Sequence, residues 1–157
     1  MATTTAPEFL NGLASDEASA VLALATRTRL APGTVLFRLG DSAHSLYLIE
    51  RGRIALTLPM QVHGGEQDIM VEERVAGQTV GWSALIPPHR FTLKATAQIE
   101  TEVLAISRVA LHAHLASRPA VANTVTMNLA SVIGQRLQVF QAMWLREMQR
   151  VVELRSS

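Results

Sequence analysis

The sequence predicts an α+β, mainly β fold: an eight-stranded antiparallel jelly roll or barrel, with short N-terminal helices and a long C-terminal dimerisation helix. Three observations carry this prediction. Between Val35 and Ile106, short stretches rich in β-branched and apolar residues recur at roughly ten-residue spacing, separated by Gly, Pro and Asp turns. That spacing suits antiparallel strands and leaves no room for the crossover helices of a parallel sheet. After Ile106 the strand-like stretches stop, and beyond Pro119 apolar residues return at three- and four-residue steps, the period of a helix.

The elements follow in order. From Pro7 to Ala25, Phe9, Leu10, Leu13, Leu22 and Leu24 stand among small and acidic residues, and Ser15-Asp16-Glu17 reads as a cap between two short helices. Ala31-Pro32-Gly33 is a turn, and Val35-Leu36-Phe37 a strand. Gly40-Asp41 is the next turn, Leu46-Tyr47-Leu48-Ile49 a strand, and Arg51-Gly52 a turn. An alternating strand then runs from Ile54 to Leu58, closed by Pro59. The segment from Gln61 to Gln67, centred on Gly64-Gly65, reads as a hairpin tip before a strand at Ile69-Met70-Val71. Two further strands are predicted from Phe91 to Ala97 and from Thr101 to Ile106, then a short helix from Arg108 to Leu115 and a long one from Pro119 to about Leu154. Along the long helix, Ile133, Leu137, Phe140, Trp144, Met148 and Val151 form one apolar stripe. A helix of about 35 residues extends roughly 50 Å and overhangs a small barrel, so the segment Leu129 to Val151 is expected to pack on its own copy in a homodimer.

Composition narrows the chemistry. A chain of 157 residues with 48% hydrophobic and 17% charged residues suits one folded domain: helices over 7–26, the barrel over 27–107 and C-terminal helices over 108–155. The absence of cysteine excludes disulfides, thiolate nucleophiles and Cys-ligated metals. A net charge of +1 gives no general attraction to nucleic acid or anionic membranes. No apolar run reaches the roughly 20 residues of a membrane span, and Met1–Ala6 lacks signal-peptide character, which predicts a cytoplasmic protein without membrane partners.

Enzymatic constellations find no support. His112 and His114 point to different faces of a predicted helix, and His44, His63 and His89 fall in separate loops, so no metal or haem ligand set emerges. Neighbours such as Glu72-Glu73 point to opposite faces of a strand, and Glu100 with Glu102 near a turn reads as solvated surface. No Gly-x-Ser-x-Gly elbow occurs. The chain is expected not to be an enzyme.

The run Gly40-Asp41-Ser42-Ala43-His44-Ser45-Leu46-Tyr47-Leu48-Ile49-Glu50-Arg51-Gly52, with Gly77 and Thr79-Val80-Gly81 beyond it, closely resembles the cyclic-nucleotide-binding domain, the effector domain of catabolite-activator-type regulators. The resemblance covers roughly residues 18 to 155. It implies a phosphate-binding cassette at Gly81–Thr92, in which Gly81, Trp82, Ser83, Ala84, Arg90, Phe91 and Thr92 hold a small anion. A Gly-led short helix presents free N–H groups to an anion, and Arg90 supplies the counter-charge. From the long helix, Leu137, Phe140 and Gln141 are expected to close the pocket.

Two positions depart from the family's pattern. Trp82 stands where a glutamate accepts the ribose 2′-hydroxyl; an indole donates one hydrogen bond and accepts none. Phe140-Gln141 replaces the small polar residues that read the base. Ordinary cAMP or cGMP, the implied ligand, is therefore expected to bind weakly or not at all. The resulting expectation is a ligand-sensing regulatory protein that signals through its C-terminal helix. The alternatives are a ligand-free dimeric scaffold plugged by Trp82, or the truncated effector domain of a transcription factor. In the family's transcription factors a helix-turn-helix follows the long helix; if Ser157 ends the protein, no direct DNA binding of that kind is expected, and if the chain is truncated, it is.

Overall fold

The computed structural model describes residues 7–157; Met1–Ala6, read above as a leader, lies outside the described residues. A 3-10 turn at Glu8–Leu10 precedes helix α1 (Ser15–Leu22). The expected cap at Ser15 or Asp16 is not formed: the N-cap is Ala14, with no side-chain hydrogen bond, and Asp16 and Glu17 sit instead in the first turn. There their charge complements the helix dipole.

Eight strands follow, all paired antiparallel: β1 (Thr26–Leu30), β2 (Val35–Phe37), β3 (Ser45–Arg51), β4 (Arg53–Val62), β5 (Gly65–Val75), β6 (Thr79–Val80), β7 (Lys94–Ala97) and β8 (Thr101–Ser107). They form two four-stranded sheets, β1-β8-β3-β6 and β2-β7-β4-β5, so the jelly roll holds while the closed barrel does not. Both sheets contribute to one core: Ile49, Val80 and Val103 from the first meet Ile54, Leu56, Val71 and Ala95 from the second. The opposite face of the first sheet is covered as well, since Leu46, Leu48 and Ile106 pack with Phe9, Leu10, Val21, Leu111, Val121 and Val125. Leu46-Tyr47-Leu48-Ile49 is apolar throughout for this reason: a strand covered on both sides has no polar face.

Strands β1 and β6 were not evident in the sequence. In β1, Thr-Arg-Thr-Arg-Leu, only Leu30 is buried, and the arginines pair on the surface, Arg27 with Glu50 at 2.8 Å and Arg29 with Glu102 at 3.0 Å. The Arg29 hydrogen bond holds the Glu102 carboxyl below its ordinary range. Phe91 and Leu93 are buried ahead of β7 rather than within it. The hairpin tip is tighter than expected: β4 runs through Pro59 to Val62, and His63-Gly64, both at positive φ (50° and 80°), make a two-residue turn of the type that matches strand twist. Pro59 is tolerated because β7 pairs with β4 only from Ile54 to Thr57, so beyond it β4 has one neighbour and an open edge.

Helix α2 (Arg108–Ala116) is capped by Ser107, whose hydroxyl accepts from the Ala110 N–H. Helix α3 (Pro119–Ser156) is 38 residues and about 57 Å long. Its apolar residues divide between two faces, correcting the single stripe. Val121, Val125, Leu129, Val132 and Arg136 are buried, and Val139, Phe140 and Met143 continue that face against the sandwich core. Leu137, Trp144, Leu145 and Val152 are 59–62% exposed on the adjacent face. Steps of three and four drift around a helix of period 3.6, which is how Phe140 was merged with Trp144 in the sequence pattern. No helix among the described residues is long and apolar enough to cross a membrane.

Candidate functional site

The site begins where β6 ends. Gly81 adopts φ +85°, and a Cβ there would lie 3.2 Å from the Phe91 ring and 3.3 Å from the Ser45 carbonyl, so the position demands glycine in both conformation and space. Trp82–Ala84 follows as a single 3-10 turn. Behind it Phe37 stacks on Phe91, ring centroids 3.7 Å apart.

These elements enclose a cavity of about 10 Å³, large enough for one water-sized group. Of the expected cassette residues, Gly81, Trp82, Ser83, Phe91 and Thr92 line it. Ala84 is fully buried in the sandwich core. Arg90 does not reach the cavity: it is exposed, and its Nη1 donates to the Gly40 carbonyl at 2.9 Å. On the helix side only Phe140 faces the sandwich, while Leu137 and Gln141 turn to solvent. The geometry puts Arg136 in their place.

Arg136 is the charged group that sequence reasoning missed. Its side chain is 7% exposed, and it lines the cavity from α3. Nε donates to Glu72 Oε2 at 2.6 Å, whereas Nη2, also buried, has no hydrogen-bond partner among the described residues. Burial pulls this guanidinium below its ordinary pKa, and the charge and hydrogen bond of Glu72 oppose that shift. A buried donor without an acceptor is costly, and here it belongs to a residue that lines the cassette cavity. The available signal was an arginine four residues after Val132 and four before Phe140, on the apolar face of the helix.

Glu72 is shared. Its Oε1 accepts from Arg74 Nη1 at 3.1 Å, and Arg74, 3% exposed, also donates through Nη2 to Glu8 and through Nε to the Thr79 carbonyl at 3.2 Å. Glu8 Oε2 in turn accepts from the Thr79 N–H and hydroxyl, each at 3.2 Å. Glu73 points away and accepts from Gln98. Among the described residues, no group of three or more His, Asp or Glu is placed to hold a metal ion.

Compared with known families, residues 27–118 match the cyclic nucleotide-binding domain. The chain belongs to that family. The cyclic AMP receptor protein of Thermus thermophilus is 29% identical over 130 residues, a match covering 83% of this chain and 57% of that relative's length. The crystal structure of the Thermus thermophilus catabolite activator protein superposes with a TM-score of 0.69 at 27% identity, over 95% of this chain and 63% of the other. The N-terminal domain of a transcriptional regulator from Streptomyces coelicolor A3(2) shares the fold at 23% identity and TM-score 0.69, covering 85% of this chain and 91% of that one. The chain spans under two thirds of the length of the Thermus receptor protein that it matches.

Proposed function

We propose that the cassette pocket takes a cyclic nucleotide or related small anion and that α3 carries the signal. One observation carries this reading: the guanidinium that lines the cavity, with Nη2 unpartnered among the described residues, belongs to α3 itself, so sensing and output share one helix. A cavity of about 10 Å³ admits no nucleotide as it stands. An entering anion therefore selects a state in which Trp82 and α3 stand further from the sandwich, and that displacement is the signal. Arg90, now on the Gly40 carbonyl, exchanges that neutral acceptor for the arriving anion in this displaced state. Trp82 offers no acceptor to a ribose 2′-hydroxyl, which favours ligands anchored by their anionic group over those read through the sugar.

Calorimetry with cAMP and cGMP, backed by thermal shift, tests the reading. Arg136→Leu is expected to abolish binding. Arg90→Ala, which removes one charge-assisted contact, weakens it about tenfold or more. Trp82→Glu, which restores an acceptor, is expected to tighten cAMP binding. Binding indifferent to Arg136→Leu overturns the assignment. If neither nucleotide binds or raises Tm, the ligand-free scaffold gains, a reading that the small cavity beneath Trp82 favours.

The scaffold and sensor readings share a homodimer. Leu137, Trp144, Leu145 and Val152 on the outer face of α3 form an apolar strip that isolated chains rarely leave in water. Trp144→Glu combined with Leu145→Glu is expected to give a monomer by light scattering, with the fold intact by circular dichroism. Phe140 is left unaltered in this test because it packs on its own sandwich. A dimer that survives both substitutions excludes this face. The span of 57% of the Thermus receptor protein supports the further reading that the domain serves a longer regulator.

A further inference from the structure

We propose that Glu8, Arg74 and Glu72 form a positioning chain that sets how much of Arg136 is free for an anion, so that the N-terminal turn tunes the cassette pocket from outside it. The inference rests on the anion-binding reading above.

Two guanidiniums, Arg74 and Arg136, lie 3% and 7% exposed and cannot turn to water for compensation. Each needs a carboxylate, because an unpaired buried charge is strongly disfavoured. Glu72 serves both, one oxygen to each. That division holds because Arg74 has a second anionic partner, Glu8, contributed from 66 residues upstream. With Glu8 in place, Arg74 is neutralised without a full claim on Glu72, and Glu72 keeps Arg136 occupied.

Removing the charge of Glu8 shifts the balance. Arg74 then draws both oxygens of Glu72, the bidentate geometry that a guanidinium favours, and Arg136 loses its only acceptor among the described residues. Its Nε joins Nη2 as a donor without an acceptor, on a side chain that lines the cavity, and an arriving anion no longer competes with Glu72. Weakening this latch should therefore raise affinity for an anion while lowering the stability of the fold. The latch is also joined to the moving parts. The Glu8 N–H donates to the Gly77 carbonyl at 2.8 Å, Glu8 holds Thr79 two residues before Gly81, and Asn128 Nδ2 of α3 donates to the carbonyls of Phe9 and Asn11 at 3.0 and 2.8 Å. The N-terminal turn thus touches both the root of the cassette and the helix that bears Arg136.

The test compares wild type, Glu8→Gln, Arg136→Leu and the double variant, titrated with cAMP and with sulfate by calorimetry, with Tm measured without ligand. Glu8→Gln is expected to lower Tm yet tighten binding of the anion by roughly tenfold or more, the scale of one charge-assisted hydrogen bond. In the Arg136→Leu background Glu8→Gln is expected to restore no binding, because the guanidinium it would release is gone. A merely structural role for Glu8 would lower Tm and affinity together, and that result overturns the proposal, as does an unchanged affinity. Should Glu8→Gln fail to fold, Asn128→Ala loosens the same turn without altering charge and is expected to shift affinity in the same direction; no shift overturns the proposal. Binding lost in Arg136→Leu but unmoved by Glu8→Gln removes the positioning chain and leaves the anion site. Binding absent throughout, or untouched by Arg136→Leu, removes the site itself.

Discussion

Glu72→Ala is expected to destabilise the protein by about 3–5 kcal/mol, the range found when one partner of a buried ion pair is deleted and the other charge stays behind. The expectation is specific to this carboxylate. Among the described residues, its loss takes the only acceptor from Arg136 and one of two anionic partners from Arg74, both buried. For a chain of this size such a loss lowers Tm by roughly 10 °C. The surface pair of Arg27 with Glu50 supplies the contrast: its arginine side chain is 63% exposed, water replaces either partner, and Glu50→Ala should leave the unfolding midpoint nearly unmoved. Added sulfate should restore part of the Glu72→Ala loss, since an anion that binds the folded state alone stabilises it by mass action. A Glu72→Ala protein as stable as wild type would mean that Arg136 finds water or another acceptor when Glu72 is gone. The cavity would then lose its claim to be an anion site.

Much of the fold was legible because local and global signals agreed. Gly40-Asp41, the apolar run Leu46 to Ile49 and Gly52 encode two turns and a doubly covered strand, and the structure has them at those positions. Strand β1 was not legible, since an edge strand that buries only Leu30 has almost no apolar pattern and takes its place by pairing with β8. Pro59 was misread as a strand end because sequence alone does not say which strands have an open edge. The candidate site divides the same way. Gly81, Trp82, Ser83, Phe91 and Thr92 are local to one segment and come together through local geometry. Arg136 was passed over because its meaning depends on Glu72, 64 residues away, and on which side of α3 meets the sandwich. Leu137 and Gln141 were placed at the pocket by the same ambiguity of helical phase. A charged residue at an inward helical position is intelligible only once its counter-charge is found.

Gly52→Ala is expected to cost roughly 3 kcal/mol or more, well above the same change at Gly40. Both glycines sit at positive φ, +99° and +89°, and both mark turns in the motif that carries the family resemblance. Each therefore loses about 1–2 kcal/mol to backbone strain when a Cβ is added. The difference lies in what that Cβ meets. At Gly40 nothing stands within 4 Å, whereas at Gly52 it would lie 2.3 Å from Thr101 Oγ1, 2.7 Å from the Glu100 carbonyl and 2.7 Å from the Thr101 Cα. Two of those atoms are backbone, and no rotamer change moves them aside. Thr101 is itself fully buried and fixed: its hydroxyl accepts from the Arg53 N–H at 3.2 Å and donates to the Ile99 carbonyl at 2.8 Å. Relieving the clash means separating the β3–β4 turn from the start of β8, the strand between β1 and β3 in the first sheet. Urea denaturation of the two variants should show a much larger fall in midpoint for Gly52→Ala at an unchanged slope. Equal midpoints for the two would mean that the β3–β4 turn shifts freely against β8, and that strain alone, rather than close approach, dictates glycine at this turn.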